Sequence, residues 1–178
     1  MDPRHLAPAF LEHVATRGPR VALRHKVDGA WRDVTWTELG ENVGAAARAL
    51  LALGVADGET VGLFAPNRPE WTIADLAIQQ VRAVSVPIHT TSTGPQAAWI
   101  LRDAGVKVLF VGGSEGYEKI RAVRGELPAL ATIIVFDEPA SVSAPDATSW
   151  RSFVSRGRGD GGAAQDAELA ARLQRASG

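Results

Sequence analysis

The sequence predicts an α/β fold: a mostly parallel, doubly wound sheet flanked by helices, with an antiparallel hairpin on its N-terminal side. Four short apolar runs, Thr60–Ala65, Val84–Ile88, Val106–Val111 and Thr132–Phe136, recur about every 24 residues. Between successive runs the apolar residues return at helical spacing. Parallel strands need such crossovers, because the end of one strand lies at the far side of the sheet from the start of the next. Finally, the chain is 46% hydrophobic and 22% charged, enough apolar surface to cover a sheet on both faces.

Taken in order, His5 to Thr16 reads as an amphipathic helix carrying Leu6, Phe10, Leu11 and Val14, broken by Gly18-Pro19. Val21 to Val27 and Ala30 to Trp36 read as strands around an Asp28-Gly29 hairpin turn, with Trp31, Val34 and Trp36 as their apolar surface. Glu38 to Leu53 sets Leu39, Val43, Ala46, Ala47, Leu50 and Leu51 on one helical face; Thr35 or Thr37 can cap it and Gly54 can stop it. Asn67-Arg68-Pro69-Glu70 has the form of a capping box ahead of Trp71, Ala74, Ala77, Ile78 and Val81. Gly94-Pro95 opens a helix that Gly105 ends, and Tyr117 to Arg124 is a weaker helix. Beyond Phe136, Pro139 to Ser149 reads as loop, Trp150 to Val154 as a short helix and Arg156 to Gly162 as flexible. Asp166 to Arg175 is helix-prone, with Leu169 and Leu173 left to find a partner. The expected division is an α/β unit over residues 1–136 and a loop-and-helix extension over 137–178.

Composition removes several function classes. Nineteen Lys and Arg against twenty Asp and Glu leave no electrostatic case for nucleic acid. Without cysteine there is no disulfide, thiolate zinc site or thiol nucleophile. The four histidines, His5, His13, His25 and His89, are too scattered to pair as metal ligands. No apolar run reaches bilayer length and no signal peptide is visible, so a cytoplasmic protein is expected.

Gly112-Gly113-Ser114-Glu115-Gly116 matches the nucleophile elbow G-x-S-x-G after a buried strand, but every histidine precedes Ser114, the reverse of the order that hydrolase chemistry uses. A β-to-α turn built from small residues explains it. Gly157 to Gly162 contains G-x-G-x-x-G without the preceding strand that would aim a helix at a pyrophosphate; it and its Arg158-Gly159-Asp160 tripeptide read as linker. There is no Walker A cradle. Pro87 to Pro95 carries more weight, since it follows a parallel strand, where ligands of open α/β sheets bind. It holds His89, the hydroxyls of Thr90 and Thr91, and a helix start. Helix capping is the competing use for those hydroxyls.

Thr35-Trp36-Thr37-Glu38-Leu39, Leu53-Gly54-Val55, Asp57-Gly58-Glu59-Thr60-Val61, Ala65-Pro66-Asn67-Arg68-Pro69-Glu70-Trp71, Ala83-Val84-Ser85-Val86-Pro87 and Val108-Leu109-Phe110-Val111 follow one another as in a known family. The chain resembles the opening of the adenylate-forming (AMP-binding) acyl-CoA synthetases over roughly Phe10 to Phe136, and Pro87-Ile88-His89-Thr90-Thr91 looks most like the long-chain fatty acid–CoA ligase branch. The resemblance implies the first subdomain of the adenylate-forming fold. It also implies a two-step reaction: ATP and a carboxylate form an acyl adenylate with Mg²⁺ assisting, and the CoA thiol then displaces AMP. The family's phosphate loop and C-terminal catalytic lysine are not in this sequence, so no catalytic, cofactor-binding or metal residue is assigned and the chain alone is not expected to adenylate. His89, Thr90 and Thr91 are the expected substrate-proximal residues, beside a fatty acyl substrate and CoA. The resemblance also leaves room for a stand-alone binding or assembly module, self-associating or pairing with a ligase through an exposed face, and for peripheral membrane contact.

Overall fold

The structure, a computed structural model, describes residues 6–137, 145, 147–158 and 162–176. In chain order its elements are α1 (Leu6–Arg17), β1 (Val21–Val27), β2 (Ala30–Thr35), α2 (Trp36–Ala52), β3 (Thr60–Phe64), α3 (Pro69–Gln80) and β4 (Val84–Pro87). There follow α4 (Gly94–Asp103), β5 (Val108–Val111), α5 (Ser114–Ala122), β6 (Thr132–Val135), β7 (Ala147–Ser149), α6 (Trp150–Arg156) and α7 (Gly162–Ala176). The four anticipated strands begin at Thr60, Val84, Val108 and Thr132, 24 residues apart. They form a parallel sheet of order β4-β3-β5-β6-β7, while β1 and β2 make a separate antiparallel ribbon.

Each central strand is apolar on both faces because helices cover both. Val61, Leu63, Val108, Phe110 and Ile134 join the core under α2 and α3, with Phe10 of α1, Phe153 of α6 and Leu169 of α7. The alternate residues Phe64, Leu109, Val111, Ile133 and Val135 pack with Ala97 and Leu101 of α4 and Tyr117 and Ile120 of α5. The strand period of two thus splits one apolar run into two cores, which is the physical content of double winding.

Local chemistry sets the boundaries. Thr35 caps α2: its hydroxyl accepts from the Glu38 N–H at 3.2 Å, and the Glu38 carboxylate accepts from the Thr35 N–H at 2.8 Å. Trp36 therefore starts the helix instead of ending the strand. A second reciprocal pair joins Thr93 to Gln96 at the start of α4. The capping box expected at Asn67–Glu70 does not form. Arg68 holds the N-cap position without a side-chain bond to the helix, and Pro69, whose ring presets φ, begins it. Asp28 (φ 50°) and Gly29 (φ 80°) make the tight hairpin turn, both in the left-handed region it demands.

Past Phe136 the sequence reading needs correction. Within the expected loop, Ala147–Ser149 pairs with β6 as a fifth parallel strand; it is too short and polar to announce itself. Residues 138–144 and 146 lie outside the described residues, as do 159–161. Leu169 and Leu173 seek no outside partner, since both pack on the chain's own core. Arg172 anchors α7: nine-tenths buried, it donates to the Val55 and Val81 carbonyls at 3.0 and 2.7 Å and pairs with Glu168. Gly157 and Arg158 are likewise not free, as the Arg48 Nε donates to the Gly157 carbonyl and Arg158 to Asn42 Oδ1, both at 2.6 Å. Trp31 is 63% exposed and so supplies no core surface, whereas Val34 and Trp36 do pack against the core.

Glu59 ties the turn before β3 to the start of β5. Its carboxylate pairs with Lys107 Nζ at 2.5 Å and accepts from the Ala56 N–H at 2.9 Å. The Lys107 bond first, and the Ala56 bond after it, hold its pKa below the ordinary 4.5. A lowered folded-state pKa contributes stability that is complete above the unfolded value and disappears as pH falls through the folded one. Glu59→Gln should therefore lie below the parent in urea midpoint at pH 7, and the two should converge as pH drops below 4.5. A gap that persists in acid would show that the pairing is not what Glu59 contributes.

Candidate functional site at the topological switch point

From β3 the chain crosses outward to β4 by way of α3, then returns past β3 to β5 by way of α4 on the opposite face. The connections leaving the C-terminal ends of β3 and β5 therefore diverge, and side chains cannot fill the gap between them. A cleft of about 520 Å³ opens there. Phe64 at the end of β3 and Pro66 beyond it, Thr90 and Thr91 after β4, Gly112 to Gly116 after β5, and Asp137 after β6 form its walls, with Lys119 of α5 reaching in.

The floor requires glycine at Gly112, where a Cβ would overlap Pro66 and the Ala65 backbone; one on Gly113 would meet only the movable end of the Asp137 side chain. Ser114 then opens α5, whose first residues, Ser114 to Gly116, line the cleft. No histidine lines the cleft among the described residues, and the nucleophile-elbow pattern is the small-residue turn expected of it. Lys119 donates to the Thr90 carbonyl at 3.3 Å, pairs with Glu115 at 2.9 Å and lies 5.9 Å from the centre of the Phe64 ring.

Arg68 stands behind this floor and links three loops. It donates from Nε to Glu70 at 2.7 Å, and from one terminal nitrogen to the Gly112 carbonyl at 3.0 Å and to Asp137 at 2.6 Å, over the Phe136 ring. Burial pulls its pKa down, but the hydrogen bonds and charges of Glu70 and Asp137 outweigh that and leave it raised. The guanidinium is a fixed cation that aims two carboxylates.

The three residues singled out in the sequence divide between two depressions. Thr91 lines the switch-point cleft; Thr90 lines it and also a neighbouring cavity of about 430 Å³. His89 belongs to the neighbour, beside Asn67, Trp71 and Pro87, and its Nδ1 lies 2.8 Å from the Thr91 hydroxyl. Arg68, Lys119 and Asp137 were not singled out. Lys119 sits one turn inside a helix and reads as part of a solvated face. Arg68 and Asp137 lie in the connections that follow β3 and β6, a signal that becomes usable only once strand order is known. Among the described residues no three His, Asp or Glu side chains converge to hold a metal ion.

Residues 10–172 match the AMP-binding enzyme family. The chain belongs to that family. Among its relatives, the long-chain-fatty-acid–CoA ligase FadD15 of Mycobacterium bovis is 36% identical over 130 residues, covering 73% of this chain and 22% of its own. The long-chain-fatty-acid–CoA ligase ACSBG2 of Xenopus laevis is 25% identical over 158 residues, 89% of this chain and 21% of its own. The chain thus spans about a fifth of the length of these curated relatives. Among solved structures, the anthranilate CoA ligase AuaEII in complex with anthranoyl-AMP superposes with a TM-score of 0.76 at 28% identity, over 86% of this chain and 29% of that one. The AMP-binding fold thus accounts for the α/β architecture, and no helix among the described residues is long and apolar enough to cross a membrane.

Proposed function

We propose that the chain is the N-terminal part of an ATP-dependent acyl-CoA ligase that adenylates a carboxylic acid, a long-chain fatty acid by preference, and then transfers the acyl group to CoA. The observation that carries the reading is the family match over residues 10–172, with an open cleft at the switch point of the same chain. His89, Thr90 and Thr91 border the acyl and CoA sites in this reading. The cleft holds one ammonium, Lys119, against the carboxylates of Glu115 and Asp137. That balance disfavours a triphosphate and suits amide and hydroxyl groups such as those along the pantetheine arm of CoA. Phosphate handling then falls to other parts of the ligase.

Fusing the chain in register to the remainder of one of the related ligases tests this. The fusion should catalyse ATP–pyrophosphate exchange dependent on a long-chain fatty acid and form its CoA ester. A folded fusion with neither activity removes the reading. Within an active fusion, His89→Ala should raise the KM for CoA or the acid by about threefold to tenfold, the worth of one hydrogen bond, at unchanged kcat. An unchanged KM for both substrates takes His89 out of the site.

A further inference from the structure

Gly112 and Gly113, which follow β5 at the floor of the cleft, have no side chains with which to pin their loop. Asp137 lines both the cleft and a second cavity of about 460 Å³, so open space lies on two sides of its carboxylate. Hydrogen bonds supply what packing does not. The Gly112 N–H donates to the Phe64 carbonyl at 3.0 Å, and its own carbonyl accepts from Arg68 at 3.0 Å. The same guanidinium nitrogen holds Asp137 Oδ1 at 2.6 Å, while Nε is fixed on Glu70 and the Phe136 ring lies 5.7 Å away. An exposed ion pair contributes little. This guanidinium is only 26% exposed, and its planar fork meets three acceptors at once, which leaves it no free rotation.

We propose that Arg68 is the positioning residue of the cleft and Asp137 the group it positions, with Asp137 Oδ2 accepting a hydrogen bond from an N–H or O–H of the CoA arm. The inference rests on the reading of the cleft as the place of that arm. With Oδ1 on Arg68, Oδ2 lies against Gly113 on the cleft floor. Glu115, the other carboxylate of the cleft, is paired with Lys119 and is 87% exposed to water, so nothing fixes it for a ligand. An acceptor already held in place costs the ligand less ordering than one that must be gathered in.

Two measurements test this. In the 178-residue chain, hydrogen exchange should show the Gly112 amide opening about tenfold faster in Arg68→Met, with the Leu109 and Ile134 amides of the same sheet changed by less than about twofold. Equal acceleration at all three amides, or none at Gly112, would overturn the proposal. In an active fusion to the remainder of a related ligase, Arg68→Met and Asp137→Ala should each raise the KM for CoA about fivefold at unchanged kcat and unchanged acid-dependent pyrophosphate exchange. Arg68→Met added to Asp137→Ala should raise that KM by less than about twofold more, because Arg68 acts through Asp137. Gly157→Ala, which strains α6 away from the cleft, should leave the KM for CoA unchanged. Fully additive effects of Arg68→Met and Asp137→Ala, or equal damage to pyrophosphate exchange and thioester formation, would overturn the positioning role. An inactive fusion removes the ligase reading and with it the Asp137 contact, while the amide measurement still decides whether Arg68 holds the floor. Unchanged amide opening in a chain whose fusion is active removes the clamp and leaves the ligase.

Discussion

Replacing Phe110 by alanine is expected to cost about 3–5 kcal/mol, the largest effect of any single change considered for this chain. Phe110 is fully buried on β5, with Leu63 of β3 and Ile134 of β6 as its register partners. Its ring meets Phe136 at 5.9 Å, Trp150 at 6.0 Å and Phe153 at 5.4 Å. These rings join the centre of the sheet to α6, and strand backbones on either side cannot move in to fill the void. The loss would be a large share of an ordinary domain's stability. Urea denaturation would measure it, with Phe110→Leu, which preserves most of the volume, retaining most of the stability. A cost below about 1 kcal/mol for the alanine variant would mean that the aromatic cluster does not form.

Gly157→Ala is expected to cost about 2–3 kcal/mol, by overpacking and not by lost contact. Gly157 ends α6 with ordinary right-handed angles, φ −86° and ψ −2°, so no conformational freedom is at issue. What matters is distance: an added Cβ would overlap the Ala45 carbonyl oxygen and stand 2.8 Å from its carbon and 3.1 Å from the Ala49 nitrogen. Helix backbone does not yield as a side-chain end does, so α6 must lift from α2 and the Arg48 bond to Gly157 must stretch. Gly125→Ala, where nothing lies within 4 Å of the new atom, is the control and should change stability by less than about 0.5 kcal/mol. Equal effects at the two positions would refute the close approach.

Much of this was legible because the signals are local. A 24-residue beat of apolar runs needs no knowledge of neighbours, and neither does a threonine three residues ahead of Glu38. The misreadings come from elements whose identity depends on what they touch. Ala147–Ser149 is a strand only because β6 offers it an edge. Leu169 and Leu173 look like an unclaimed face until α2 and α3 are placed beneath them. The apparent capping box at Asn67–Glu70 fails because Arg68, not Asn67, holds the N-cap position and takes the Glu70 carboxylate, while its other bonds reach Gly112 and Asp137 in the loops after β5 and β6. Likewise, His89, Thr90 and Thr91 were found as a stretch after a strand, but their division between two cavities follows from how that loop meets Gly112 and Trp71.

The residues alone were enough for the phase of four of the five parallel strands, the two-faced burial of β5, the hairpin turn and the family resemblance. These rest on backbone preference and side-chain periodicity, which act within a few residues. Only the tertiary structure decided the order β4-β3-β5-β6-β7, and with it the switch point, the cleft and the convergence of Arg68, Lys119 and Asp137. Strand order is set by which buried faces fit together across the whole sheet, a non-local choice among arrangements that satisfy the same local pattern.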